Sequence, residues 1–150
     1  MRGEFRVGIL WTWGAAARRP TRREEFMTGI EARKFAEEWI RNFSGKDVEA
    51  VLAWFAEDAE FTSPKAVGIL GRATLRSREE LGEYWRTAVK AIGTIRFTLD
   101  YLVNDEAARR LTIVYVSEID GKRARAAELF QFDEAGKVVR GEAMYGVGLG

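Results

Sequence analysis

Residues 110–132 read RLTIVYVSEIDGKRARAAELFQF, two alternating runs joined by Asp120-Gly121. Alternation of period two is the signature of strands with one buried face, and an Asp-Gly pair between such runs is a strong short hairpin signal. A two-residue loop sets the register: Ile119 opposes Lys122, Glu118 opposes Arg123, and Ile113 opposes Glu128. One face then carries Ile113, Tyr115, Ser117, Ala124, Ala126, Glu128, Phe130 and Phe132. The other carries Val114, Val116, Glu118, Arg123, Arg125 and Leu129. Glu128 is thus a carboxyl among apolar neighbours, which costs free energy unless it is paired, protonated or used.

Outward from this hairpin, the patterning predicts two further strands, about Thr94–Val103 and Lys137–Gly146, with Asn104-Asp105-Glu106 and Asp133–Gly136 as turns. Upstream the period changes. Ile30, Ala32, Phe35, Ala36, Trp39, Ile40 and Phe43 recur at helical spacing, and Ser44-Gly45-Lys46 ends that helix. Asp47 is placed to cap a second helix with inner positions Val48, Val51, Leu52 and Phe55. Ala59–Ser63 reads as a short strand stopped by Pro64. Lys65–Arg76 reads as a loop. Ser77-Arg78-Glu79-Glu80 is a capping box opening a third helix, with Leu81, Tyr84, Trp85, Ala88, Val89 and Ile92 inside. Helices first and hairpin-linked strands afterwards indicate an α+β domain, with three helices on one face of a mainly antiparallel sheet.

Composition narrows the chemistry. The chain has 150 residues, 47% hydrophobic and 31% charged, with a formal net charge of +1. That gives no charge argument for nucleic acid or a membrane surface, and no apolar run approaches the ~20 residues of a spanning helix. There is no cysteine and no histidine. Thiol nucleophiles, Ser-His-Asp arrangements and the usual zinc sets are excluded, so acid–base work falls to carboxylates, tyrosine, lysine or water. Glu57, Asp58 and Glu60 do not converge, and neither a metal nor a cofactor is expected. Residues 1–26 carry Arg2, Arg6, Arg18, Arg19, Arg22 and Arg23 around a short apolar stretch, Val7 to Trp13. They read as an extension to a domain spanning 27–150, rather than as a leader peptide, and the expected location is cytoplasmic.

The helical N-terminal part, the segment Ala56-Glu57-Asp58-Ala59-Glu60-Phe61-Thr62-Ser63-Pro64, and the ending Phe132-Asp133-Glu134-Ala135-Gly136-Lys137-Val138-Val139 resemble the SnoaL-like branch of the nuclear transport factor 2-like superfamily. That group includes ketosteroid isomerase and polyketide cyclases. The resemblance implies a cone-shaped roll, a strongly curved sheet wrapped around helices. It also implies a homodimer through the outer sheet face, with Val114, Val116, Leu129, Val138 and Met144 as an apolar patch.

Carried over residue by residue, the isomerase's general base falls on Ser63, its oxyanion tyrosine on Trp39, and its second oxyanion donor, an acid, on Glu128. Ser63 cannot abstract a carbon-bound proton, and the indole of Trp39 offers one N–H. Steroid isomerisation is therefore poorly matched. The cyclases' histidine-containing pairs have no counterpart. An epoxide-hydrolase arrangement would need aspartates and an arginine where this chain has Ala124, Ala126 and Ala143.

The mapping implies a pocket lined by Trp39, Phe43, Phe55, Phe61, Ser63, Trp85, Ile113, Tyr115, Ser117, Glu128, Phe130 and Tyr145. Those aromatic side chains equally suit a filled core. Glu128 has no cation on its own strand face, so its structural partners are Tyr115, diagonal across the hairpin, or an arginine of the loop before the third helix (Arg72, Arg76, Arg78). Three functions fit. One is an enzyme isomerising, cyclising or hydrating a small hydrophobic carbonyl compound, with Glu128 as acid, base or donor and Tyr115 and Ser63 orienting the substrate. The others are a non-catalytic binder and a dimeric interaction module with a filled cone.

Overall fold

The computed structural model describes residues 28–150; the extension expected over residues 1–26 lies outside the described residues. The elements run α1 (Gly29–Ser44), α2 (Val48–Leu52), β1 (Phe55–Thr62), α3 (Ala66–Leu70), β2 (Thr74–Leu75), α4 (Arg78–Ala91), β3 (Ile95–Asp105), β4 (Arg110–Ile119), β5 (Lys122–Phe132) and β6 (Val138–Leu149). Six strands form one curved, unclosed sheet in the order β2-β1-β6-β5-β4-β3. All neighbours are antiparallel except β1 and β6.

Local chemistry explains where the helices start. The Thr28 side chain accepts from the Glu31 N–H while the Glu31 carboxylate accepts from the Thr28 N–H, a complete capping box. Asp47 caps α2 through the Ala50 N–H at 3.0 Å, and Ser77 caps α4 through the Glu80 N–H at 3.1 Å. Lys46 donates from Nζ to the Ile92 and Gly93 carbonyls, at 2.5 and 3.0 Å. It thereby satisfies the C-terminal end of α4 and ties it to the α1–α2 turn.

The expected hairpin forms in its expected register, Ile119 with Lys122, Glu118 with Arg123 and Ile113 with Glu128. Asp120 and Gly121 have φ of 49° and 77°, so both turn residues are left-handed, as a tight hairpin matching strand twist requires. The Asp120 carboxylate also accepts from the Thr94 N–H at 2.7 Å, pinning the start of β3 beneath the turn.

The helical part departs from the sequence reading. The stretch read as a loop contains α3 and the two-residue β2, so four helices are present among the described residues rather than three. Five residues of α3 carry a helical period too short to detect, and β2 exists only because Phe61 and Thr62 pair with Leu75 and Thr74. Phe55 belongs to β1, not to the inner face of α2, which stops at Leu52. β1 therefore begins earlier than Ala59, and β6 runs on to Leu149. Val138, expected on the outer face, is fully buried. The ladder shifts between Gln131 and Phe132, and this irregularity turns Val138 inward opposite Phe55 and Phe132.

Side chains of α1, β1, α4, β4 and β5 meet in one core. Trp39 is central, with ring centres of Phe43 at 4.6 Å, Phe130 at 4.9 Å and Trp85 at 5.6 Å, mostly edge-on. Each such side chain stabilises the fold by about 1.5–3 kcal/mol through burial. At the parallel β1–β6 junction a Cβ added to Gly141 would fall 2.6 Å from Phe61 Cδ2, so the Phe61 ring lies directly on the Gly141 backbone. Gly141→Ala is expected to lower unfolding stability by about 1–3 kcal/mol through forced overpacking. Gly68→Ala, in α3 with nothing within 4 Å of the new Cβ, is expected to be neutral or slightly stabilising. Urea unfolding of the two variants checks the contrast.

Candidate functional site

β4 and β5 bring the site together through the strand pleat. Tyr115 pairs with Ala126, so Glu128 lies two residues along the same face and within reach of the Tyr115 ring tip. The Tyr115 hydroxyl donates to Glu128 Oε1 at 3.1 Å. The second oxygen, Oε2, is buried and has no hydrogen-bond partner among the described residues. Around the pair lies a further polar group: Ser63 Oγ and the Tyr84 hydroxyl are 3.1 Å apart and buried, and the Tyr145 phenol interacts with both. Lys65 sits at the rim. Although the residue as a whole is exposed, its ammonium lies 4.0 Å from the centre of the Tyr145 ring.

A cavity of about 80 Å³ opens between these groups. Glu128, Tyr115, Ser117, Ser63, Phe43, Phe61, Trp85 and Tyr145 line it, all expected from the sequence. Trp39, Phe55, Ile113 and Phe130, expected there too, do not line it. They are at most 2% exposed and fill the closed end of the cone with packed rings and aliphatic carbon. The indole N–H of Trp39 points at no acceptor among the described residues, so that residue offers the cavity no donor. The pocket is thus the mouth of the cone.

Lys65, Tyr84, Phe97, Ile95, Ile119 and the α4 residues Ala88, Val89 with the following Ile92 complete the lining, and none of them is a site residue in the sequence analysis. Tyr84 carries a sequence signal, an inner helical position with a polar tip. Lys65 carries none, because its placement depends on the turn into α3. The arginines considered as partners of Glu128 are engaged outside: Arg72 with Glu80 at 2.9 Å, Arg76 with Glu60 at 2.6 Å and Arg78 with Glu57 at 3.7 Å. Glu118 is an outer-face residue, shared between Arg96 at 2.9 Å and Arg123 at 3.8 Å. Glu142 is exposed.

The electrostatics follow from burial. Loss of hydration pushes the Glu128 carboxyl up to about 8, with the Tyr115 hydrogen bond and the Lys65 charge pulling it partly back. The carboxyl is therefore mostly protonated at neutral pH. Oε1 accepts from Tyr115, which leaves Oε2, without a partner among the described residues, as the oxygen suited to carry that proton. Burial likewise raises the Tyr84, Tyr115 and Tyr145 phenols, which stay protonated donors. Desolvation lowers the Lys65 amine, with the nearby Glu128 charge opposing the shift.

A larger depression of about 600 Å³ lies elsewhere, between α2 and the start of α4. Both of its arginines already pair with carboxylates of the same wall (Arg86 with Glu49 at 2.7 Å, Arg78 with Glu57), and it is open to solvent. Among the described residues no group of three or more carboxylates or other metal-binding side chains converges, and no helix is long and apolar enough to cross a membrane.

The family model described as SnoaL-like domain matches residues 36–141. This chain belongs to the SnoaL-like family. Among solved structures it is similar to a SnoaL-like protein of unknown function from Burkholderia thailandensis, at 30% identity and a TM-score of 0.72, covering 82% of this chain and 100% of that one. A protein of unknown function with a cystatin-like fold from Methylobium petroleophilum shares 24% identity with a TM-score of 0.67, covering 83% and 82%. SalBIII, an epoxide hydrolase/cyclase-like enzyme in salinomycin pyran ring formation, shares 18% identity with a TM-score of 0.65, covering 81% and 95%. The last two show common architecture, a cone-shaped α+β roll. No curated protein matches the sequence significantly.

An acid whose folded pKa is raised binds its proton more tightly in the native state than in the unfolded one. Stability should then fall as pH rises from the ordinary glutamate value of 4.5 towards about 8, by up to about 1.4 kcal/mol per pH unit. The loss is complete above about pH 8 and absent at the acid end. Chemical denaturation across this range, compared with Glu128→Gln, is expected to show the slope in the wild type only. Carboxyl-carbon NMR should place the Glu128 midpoint near 8; a midpoint near 4.5 would falsify the buried-acid assignment.

Proposed function

We propose that this SnoaL-like chain binds a small hydrophobic carbonyl compound at the cone mouth, with protonated Glu128 as its principal hydrogen-bond donor and proton relay. The observation that carries this reading is the orphaned Oε2, a buried oxygen without a hydrogen-bond partner among the described residues, on a side chain that lines a ring-rich cavity. A buried polar group without a partner costs about 1–3 kcal/mol, which a ligand carbonyl accepting from it would relieve. Tyr115 holds the carboxyl in place from behind, while Ser63, Tyr84 and Tyr145 supply hydroxyls to orient a second polar atom of the ligand. A carboxylic acid with a pKa near neutrality both donates and recovers a proton readily, so the site suits isomerisation, cyclisation or hydration at the carbonyl or its neighbouring carbon.

Size selects among substrates. An 80 Å³ cavity is about half the ~150 Å³ that accommodates benzene, and far below the 300–1,000 Å³ of pockets for larger ligands. The occupant inside the mouth has about three to five non-hydrogen atoms, and longer ligands project past Lys65 and Tyr145. Fused-ring steroids do not fit.

Butanone serves as a probe. Its addition is expected to shift NMR signals of Phe43, Trp85 and Tyr115, with affinity declining as pH passes about 8. Glu128→Gln should retain binding without that pH dependence, and Glu128→Leu should weaken binding roughly threefold to tenfold. Equal affinity in the leucine variant would remove Glu128 from the reading.

We also propose pairing of two copies through the outer sheet face, where Val114, Val116 and Leu129 adjoin the exposed Tyr101, Val103 and Met144. Light scattering after size exclusion is expected to report a dimer at micromolar concentration, and Met144→Asp to shift it towards monomer.

A further inference from the structure

Among the described residues Lys65 is the one cation lining the cavity, and the positions of its neighbours are informative. Among the described residues it forms no ion pair with a carboxylate, unlike the arginines of the following segment. Its amine is held over the Tyr145 ring at 4.0 Å and in the electrostatic reach of Glu128, on a wall that Tyr84 and Ser63 also line. The backbone fixes its base: Pro64 follows the last residue pinned to the sheet edge, where the Ser63 N–H donates to the Ala73 carbonyl at 2.9 Å, and Ala66 opens α3. A primary amine and a protonated carboxyl therefore line one small apolar chamber. That combination is the equipment for amine addition to a carbonyl.

We propose that Lys65 is a nucleophile that forms an imine with the carbonyl carbon of the bound compound, with Glu128 as the proton shuttle. The Nζ lone pair adds to the carbonyl carbon, and the displaced π pair on oxygen takes the Glu128 proton. The nitrogen then returns a proton to the carboxylate. Reprotonation of the hydroxyl expels water as the nitrogen lone pair closes the C=N bond, and a final proton from nitrogen restores Glu128. The net change is amine plus carbonyl compound to imine plus water, with no oxidant or reductant. Desolvation supports the step by enlarging the neutral fraction of the amine, and each unit of pKa lowering raises that fraction about tenfold.

This rests on the carbonyl-binding reading, and the experiment separates the two. The full chain is incubated with butanone at pH 7, treated with sodium borohydride and mapped by peptide mass spectrometry, while NMR follows butanone binding in parallel samples without reductant. Exposed Lys34, Lys90 and Lys122 serve as internal references. The expected result is a reduced butyl adduct on Lys65 forming roughly tenfold or more faster than on any reference lysine, because the cavity holds the carbonyl next to that amine. Lys65→Arg, which keeps the cation over Tyr145, should retain the NMR shifts and carry no adduct at that position. NMR shifts with Lys65 labelled no faster than the references overturn the nucleophile and leave the binding site standing. Absence of both shifts and preferential labelling overturns both.

Discussion

The parity of the β4–β5 pairing is the constraint on which the rest depends. Side chains alternate faces with period two, so a slip of β5 by one residue would turn Ala126, Glu128 and Phe130 out to solvent and drive Arg125, Ala127 and Leu129 inward. The two-residue turn at Asp120 and Gly121 prevents that slip, and Asp120 strengthens the lock by accepting from the Thr94 N–H. A local turn preference thereby decides which side of the sheet holds the acid. The polar character of the cone mouth follows from it.

The aromatic residues then divide the interior. Trp39, Phe55 and Phe130 pack edge to face against one another, Phe35 or Trp85 and close the narrow end of the cone. Packing of this kind is dense and dry, which is why the carboxyl beside it keeps its proton. The wider end stays open because its lining includes polar tips, those of Ser63, Tyr84, Tyr115, Tyr145 and Glu128, that bond one another instead of meshing like hydrocarbon. A filled core and a small pocket are thus two ends of one structure, and the sequence reading had set them as alternatives.

Much of this was legible beforehand. The hairpin register, the capping of α2 and α4, the inner placement of Glu128 and its diagonal approach to Tyr115 all follow from period, turn chemistry and caps. What was misread lay where local signals are short or non-local. α3 has five residues, β2 has two, and the register shift that buries Val138 depends on a parallel partner more than eighty positions away in the chain, from Phe55 to Val138. Membership in the SnoaL-like family agrees with the resemblance seen in the helical segment and the β5–β6 turn.

By itself the sequence determined the class of fold, the parity of β4 and β5 and the removal of histidine and cysteine from the chemistry, because those depend on residue type and near neighbours. Only the tertiary structure decided which aromatic rings face space and which face one another, since that turns on how four helices seat against a bent sheet. It also decided that Lys65, with no periodic signal, reaches the rim beside Glu128. Distances between remote side chains are set by packing geometry, and no local pattern encodes them.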